Sequence, residues 1–440
     1  MFKLSMLLVC LAGALAAQGA KQYRNQAEYQ LYDSAAKAVA ANDFQKALAL
    51  LNTWARDYAD SDFSADRQFL YVLAYTGAKQ PDKAIDIARD LLNKPDWESV
   101  LPSPANRVRL LFAAAAAIQD VRVPTAEELA VSDQASRRLL AFSEKPQGLT
   151  DEAWTEARGQ MQATAKRTLL FIALIPGTRA MEKGDCVTAR AAFSKALEEH
   201  PDSVQAAWDL GSADLCLYKT QPSRAVPAIY AFARAAVIDP VKGMADPKWQ
   251  QDTVRPFLEK VFEQYHGTDP EALEQLKRLA AKSPFPPEDF GIKSLTDIAI
   301  EKQDAFEKGH PQLALWMKIK AALSDGGGSS YFTSQLQGVS VPRLRGILVE
   351  AKPACHPIEL LVAVPLPDSV TPPEPEITLK LDAPLAGRPE LEAEFQWEGV
   401  PAAFSAWPFL LTMETERSKI EGLKITPCAP PARKRSESRQ

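Results

Sequence analysis

One spacing rule occurs twice in this chain, and it limits the possible folds more than any other feature. Ala189, Phe193, Ala196 and Pro201 are matched, 39 residues further on, by Ala228, Phe232, Ala235 and Pro240. Residues three and four apart share one face of a helix, so each set lines up small, large and small side chains. The proline then ends the helix at a fixed distance, because it lacks an N–H and clashes with the preceding turn. Gly177 precedes the first set and Leu210-Gly211 the second, where a partner helix belongs. The pattern predicts successive antiparallel helical hairpins across residues 170–240.

The rest of the chain extends the pattern with less regularity. Residues 28–60 read as an earlier hairpin, turning at Asn42-Asp43-Phe44, with Ala47 and Leu51 in the small and large positions. A degenerate copy covers 65–93 through Ala84 and Ala88, and Ala84 follows Ala47 by 37 residues. Helices are expected over 102–140, marked by Ser103-Pro104, an alanine run from Ala113 to Ala117, and a Thr125-x-x-Glu128 capping box. Residues 151–183 are helical by period, with Pro176-Gly177 expected to kink or interrupt them. After a break at 243–247, helices resume near 250–265, 269–282, 294–308 and 311–323, stopping at Gly326-Gly327-Gly328.

Past Val341 the apolar period changes from 3.6 to 2. Strands are expected at 344–350, 358–364, 377–381, 391–397 and 409–414, some separated by proline-rich connectors. Gly346 in the first strand and Gly399 after the fourth permit sharp coiling. The expected fold class is mainly α. It comprises an α-solenoid over 17–240, a helical extension over 241–325, and a small antiparallel barrel or sandwich, OB-like, over 341–428. Residues 429–440 carry Arg433, Lys434, Arg435 and Arg439 with nothing apolar to bury, and are expected to form a disordered basic tail.

Export is expected from the first 16 residues: Lys3, an apolar stretch over 7–15, and the small-x-small site Ala14-Leu15-Ala16. Cys10 falls inside this signal, and the large Val9 before it argues against lipidation. Cys186, Cys216, Cys355 and Cys428 remain, an even number that in an exported chain implies two disulfides. If 185–198 and 204–217 are adjacent antiparallel helices, facing residues share one index sum. Residues 186 and 216 have the same sum as 198 and 204, which pairs Cys186 with Cys216 and leaves Cys355 for Cys428. The alternative is buried free thiols.

Charge and composition exclude some classes. A net charge of −5 argues against nucleic acid, which requires a basic surface. A hydrophobic content of 46% and charged content of 24% are ordinary for a globular chain. After the signal, no apolar run approaches the length of a membrane span. Phosphate-loop, Gly-x-Ser-x-Gly and His-Glu-x-x-His signatures are absent, so no enzyme activity, cofactor or metal is expected. His356 with Glu359 is the nearest approach to a metal pair. Asp57, Asp60 and Asp62 lack the glycine and distal glutamate of a calcium loop and read as helix-end and turn residues.

The repeats at 28–93 and 170–240 resemble the tetratricopeptide-repeat family. More broadly, Tyr265-His266-Gly267, residues 283–287 and 311–317, and Trp397-Glu398-Gly399-Val400-Pro401 are similar to exported bacterial proteins that join such repeats to a C-terminal β domain. That group has no assigned reaction. The first pair, with Tyr58-Ala59-Asp60-Ser61, is also similar to scaffolds of outer-membrane assembly and cell division. In such arrays the first helix of each repeat lines a groove.

Counting from Glu28, Ala65 and Val204, the fifth positions are Tyr32, Phe69 and Trp208. The second positions are Tyr29, Asp66 and Gln205, and the ninth are Ala36, Leu73 and Ser212. The resemblance thus implies an aromatic-lined groove for an extended protein or peptide partner, although the same rings would also serve as inter-helix packing. The Asn and Lys set that clamps a C-terminal carboxylate is missing. In the β domain, Trp397, Phe404, Trp407 and Phe409 could stack bases, but Glu392, Glu394, Glu398, Glu414 and Glu416 repel phosphate. The expected function is a non-enzymatic scaffold exported to the cell envelope. Its alternatives are an envelope-assembly factor and a ligand-binding or enzymatic β domain targeted by the helices.

Overall fold

The computed structural model describes residues 21–367 and 374–428, so the expected signal, Cys10 and the basic tail lie outside the described residues. The chain divides into two compact units between Ile292 and Lys293, within the stretch expected as a helical extension.

The first unit is helical. It comprises α1 (Gln26–Ala40), α2 (Phe44–Asp57), α3 (Ser64–Gly77), α4 (Pro81–Leu92), α5 (Trp97–Val100), α6 (Pro104–Ala117) and α7 (Ala126–Ala141). It continues with α8 (Asp151–Glu182), α9 (Cys186–Glu199), α10 (Val204–Tyr218), α11 (Ala225–Val237), α12 (Pro247–Trp249), α13 (Arg255–His266) and α14 (Pro270–Lys282). Local chemistry sets many starts. Asn25, Asp43, Thr150, Asp185, Ser203 and Asp269 each accept an N–H from the first turn of the helix that follows. Thr125 and Glu128 form the expected capping box.

Consecutive helices pack together: α1 on α2, α3 on α4, α6 on α7, α8 on α9, and α10 on both α9 and α11. The glycines show why the spacing rule works. A Cβ on Gly177 would stand 2.4 Å from the Phe193 ring, and one on Gly211 would stand 2.8 Å from the Phe232 ring. In both hairpins the large residue of the second helix lies on a glycine of the first, where any side chain would push the pair apart.

The buried apolar residues form two clusters. One runs from Ala35 to Ala165 and the other from Leu170 to Ala280. Helix α8 contributes to both; its 32 residues span about 48 Å at 1.5 Å per residue. Pro176, expected to kink or interrupt this helix, lies inside it, and the helix runs on uninterrupted to Glu182. Packing of that segment on α9 holds the helix together past the missing N–H.

Buried donors satisfy carbonyls at helix ends. Arg67 donates to Tyr58 O at 2.7 Å and Ala59 O at 3.2 Å, just past α2. Arg234 reaches Ala280 O and Ala281 O, both at 3.0 Å, and Pro201 O at 2.7 Å. Gln250, in a π-helical turn before α13, donates to Ala235 O at 2.8 Å and Ile238 O at 2.7 Å.

The second unit opens with α15 (Leu295–Gly309), α16 (Pro311–Ser324) and α17 (Gly328–Tyr331). Its strands are β1 (Val341–Lys352), β2 (Glu359–Ala363), β3 (Ile377–Leu381), β4 (Arg388–Pro389), β5 (Glu394–Ala406), β6 (Phe409–Thr415), β7 (Ile420–Glu421) and β8 (Ile425–Thr426). Pairing in the order β1-β2-β3-β6-β5, with β5 returning to β1, closes a five-stranded barrel. Leu344, Leu360, Leu379, Phe395, Trp397 and Met413 lie in its core.

Two expectations are corrected here. The barrel is not wholly antiparallel, because β3 and β6 pair in parallel. Gly399, placed after the fourth expected strand, lies within β5, which runs on to Ala406. A register shift between Pro401 and Ala403 bends β5, so that its first half pairs with β1 and its second half with β6.

Both expected disulfides are present. Cys186 and Cys216 join α9 to α10 with Cα atoms 6.0 Å apart, and Cys355 and Cys428 are joined at 6.2 Å.

Candidate binding site

The residues expected along one groove fall into two separate patches. Tyr32, Phe69 and Leu73 belong to the first core and Trp208 to the second.

In the first patch this chain covers its own face. The Tyr23 ring stacks on Phe63 at 4.0 Å, meets Tyr29 edge-on at 5.3 Å, and lies 5.8 Å from Tyr32. Lys21 Nζ binds Asp66 at 2.8 Å and Val100 O at 3.1 Å. Tyr29 keeps 42% of its surface exposed, but Phe69 keeps only 4% and Leu73 is half-buried. Phe69 is therefore a core residue and not a groove residue. Burial, with Asp66 close by, raises the Tyr32 phenol above its ordinary range.

The second patch is open. Along α10, Val204, Ala207, Leu210, Gly211 and Ala213 are buried, which leaves Gln205, Trp208, Asp209 and Ser212 half-buried on another face. Trp208 sits among Phe232 at 5.1 Å, Phe257 at 5.1 Å and Trp249 at 5.7 Å. Ser212 donates its hydroxyl proton to Trp208 O at 2.9 Å, within the helix. Beside this cluster a recess of about 390 Å³ is lined by Gln205, Met244, Ala245, Asp246 and Trp249.

Electrostatics distinguish this recess. Gln205 Nε2 donates to Asp209 Oδ1 at 2.8 Å. Burial pushes the Asp209 carboxyl up to about 6, although the Gln205 hydrogen bond pulls the other way. Asp246 Oδ1 accepts the Lys248 N–H at 2.8 Å as the cap of α12. Of the expected groove residues, the structure brings Gln205, Trp208 and Ser212 together here. Sequence reasoning missed Asp209, Met244, Asp246, Trp249 and Phe257. The aromatic at the start of the next helix, Trp249, was the available signal.

Elsewhere the aromatic and ligand-type residues are mostly engaged. Trp397 is fully buried, Phe404 packs on Phe332 at 5.1 Å, and Phe409 packs on Trp316 at 5.9 Å. Trp407, at the turn between β5 and β6, is 91% exposed. His356 gathers with Cys355 and Cys428, but the disulfide occupies both sulfurs and the His356 Nδ1 atom lies 3.0 Å from Leu385 O. Asp57 pairs with Arg56 at 2.7 Å, Asp60 with Arg24 at 2.5 Å, and Asp62 accepts the Gln22 N–H at 3.2 Å.

No protein-family model matches the chain, and comparison with curated proteins and with solved structures finds no match.

Proposed function

We propose that this protein is an exported, non-enzymatic scaffold whose helical unit is a tetratricopeptide-type solenoid that holds a protein or peptide partner. The observation that carries the reading is the open α10 face, where Gln205 and Trp208 adjoin a recess at the positions such repeats use for binding. Ring surface beside a few polar groups suits an extended chain. Two disulfides support passage through an oxidising compartment, periplasmic or extracellular. No helix among the described residues is long and apolar enough to cross a membrane.

The test is site-specific photocrosslinking in the native envelope. A photoreactive residue at position 205 captures a discrete partner, whereas one at Val123, 75% exposed on the far core, does not. Equal yields from both sites would remove the reading. Capture of an outer-membrane assembly component would narrow it to an envelope-assembly factor.

A second reading places ligand binding on the barrel, whose strand order with one parallel pair supports an OB-type fold. The exposed Trp407 favours it. Crosslinking from position 407 in place of 205 would promote this reading over the first.

A further inference from the structure

We infer that the recess beside α10 accepts a cationic side chain, arginine or lysine, from the bound partner. The inference rests on the scaffold reading and names the chemistry its site selects.

The argument begins with the amide of Gln205. Its Nε2 is committed to Asp209 Oδ1 at 2.8 Å, and an ionised carboxylate can only accept. That bond fixes the orientation of the amide, turning its carbonyl oxygen, Oε1, away from Asp209 as a free acceptor, with one N–H left over. Asp246 behaves similarly. One carboxylate oxygen caps α12, and among the described residues the other has no side-chain partner. The remaining polar surface of the lining is the Trp249 indole, whose ring face attracts cations. Met244 and Ala245 complete the wall with apolar surface.

The lining contains no Lys, Arg or His. Behind Gln205, the half-buried Asp209 adds a second carboxylate. Such a recess offers acceptors and a π face to its ligand. It therefore fits a donor-rich cation on an aliphatic stem, with the stem along Met244 and Ala245 and the charged head against Gln205, Asp246 and Trp249. An acidic side chain would meet Asp246 with like charge, and an apolar one would leave these acceptors without a donor.

The test uses the whole mature chain labelled with 5-fluorotryptophan, with the Trp249 resonance identified by its loss in Trp249→Phe. Two blocked Gly/Ala nonapeptides are titrated, one with a central arginine and one with citrulline, which keeps the shape and loses the charge. The arginine peptide is expected to move the Trp249 resonance with about tenfold higher affinity. Asp246→Asn, which retains a good helix cap, should bring the two peptides together. Gln205→Leu should weaken the arginine peptide without touching the cap.

Equal titration by both peptides, or no movement of Trp249 with either, overturns the inference. If crosslinking from position 205 still captures a partner in that case, the scaffold stands and only its charge preference is lost. If the arginine peptide binds and nothing is captured, the site is real and the scaffold reading falls.

Discussion

The two cores of the helical unit place an aromatic residue at the same point of a hairpin and then treat it differently. Tyr32 on α1 is roofed by Tyr23 and Phe63, which the chain supplies from either side of the hairpin. Trp208 on α10 is flanked by Trp249 and Phe257 but borders an open recess. The position within a hairpin therefore does not decide whether a ring is left uncovered. What decides is whether a neighbouring segment reaches over it.

Four experiments would break or sharpen this contrast. The largest effect is expected from the disulfide found only in the second core. Cys186→Ser with Cys216→Ser opens a crosslink of sequence separation 30 and should cost roughly 3–4 kcal/mol. Limited proteolysis should then cut within 186–240 before the first core; a uniform loss of protection would mean that the two cores do not differ in this way.

Next is Gly177→Val, whose new Cβ would enter the Phe193 ring. Overpacking of this kind should cost about 1–3 kcal/mol in a denaturant titration. A neutral result would show that the close approach of α8 and α9 is not needed.

The third concerns Asp209. Its folded-state value of about 6 lies above the ordinary 3.8, so the native chain holds this proton more firmly than the unfolded one. The stabilisation is complete below about 3.8 and is lost as pH rises through about 6. With allowance for partial exposure the span is roughly 1–2 kcal/mol. Asp209→Asn should flatten the stability profile relative to the parent between pH 4 and 6. An unchanged profile would place the carboxyl in water.

The smallest effect is Tyr23→Ala, about 1 kcal/mol for the lost ring contacts. Its value lies in uncovering the first patch. Nitration of Tyr29 and Tyr32 should speed up, and Trp208 should be unaffected. Unchanged nitration would mean that Tyr23 is not the cover.

The helices, their caps and the Cys186–Cys216 pairing were legible because each depends on short-range periodicity or on the register of adjacent helices, and Cys355–Cys428 followed as the remaining pair. Thr125 and Glu128 announce their own cap, and Cys186 and Cys216 face one another once α9 and α10 are drawn. The cover over Tyr32 was not legible, because Tyr23 reaches it through tertiary packing. Nor was the carbonyl clasp of Arg234, since its acceptors lie 33 to 47 residues away. The recess was half legible: α10 supplied Gln205 and Trp208, but Asp246 and Trp249 come from the cap and end of α12, a helix too short for the period of hydrophobicity to describe. In the barrel, alternation located the strands but carried no information on the parallel pairing of β3 with β6.

Helix α8 carries a consequence for how this unit can be divided. Ala165 and Phe171 serve one core while Leu170, Ala173, Leu174 and Ala180 serve the other, so the two sets overlap along a single rod that is the shared wall of two rooms. Cutting the chain before α8 strips the upstream half of its last wall, and cutting after it strips the downstream half of its first. Neither half can be excised as a tidy fragment, because each would leave part of its apolar wall on the other.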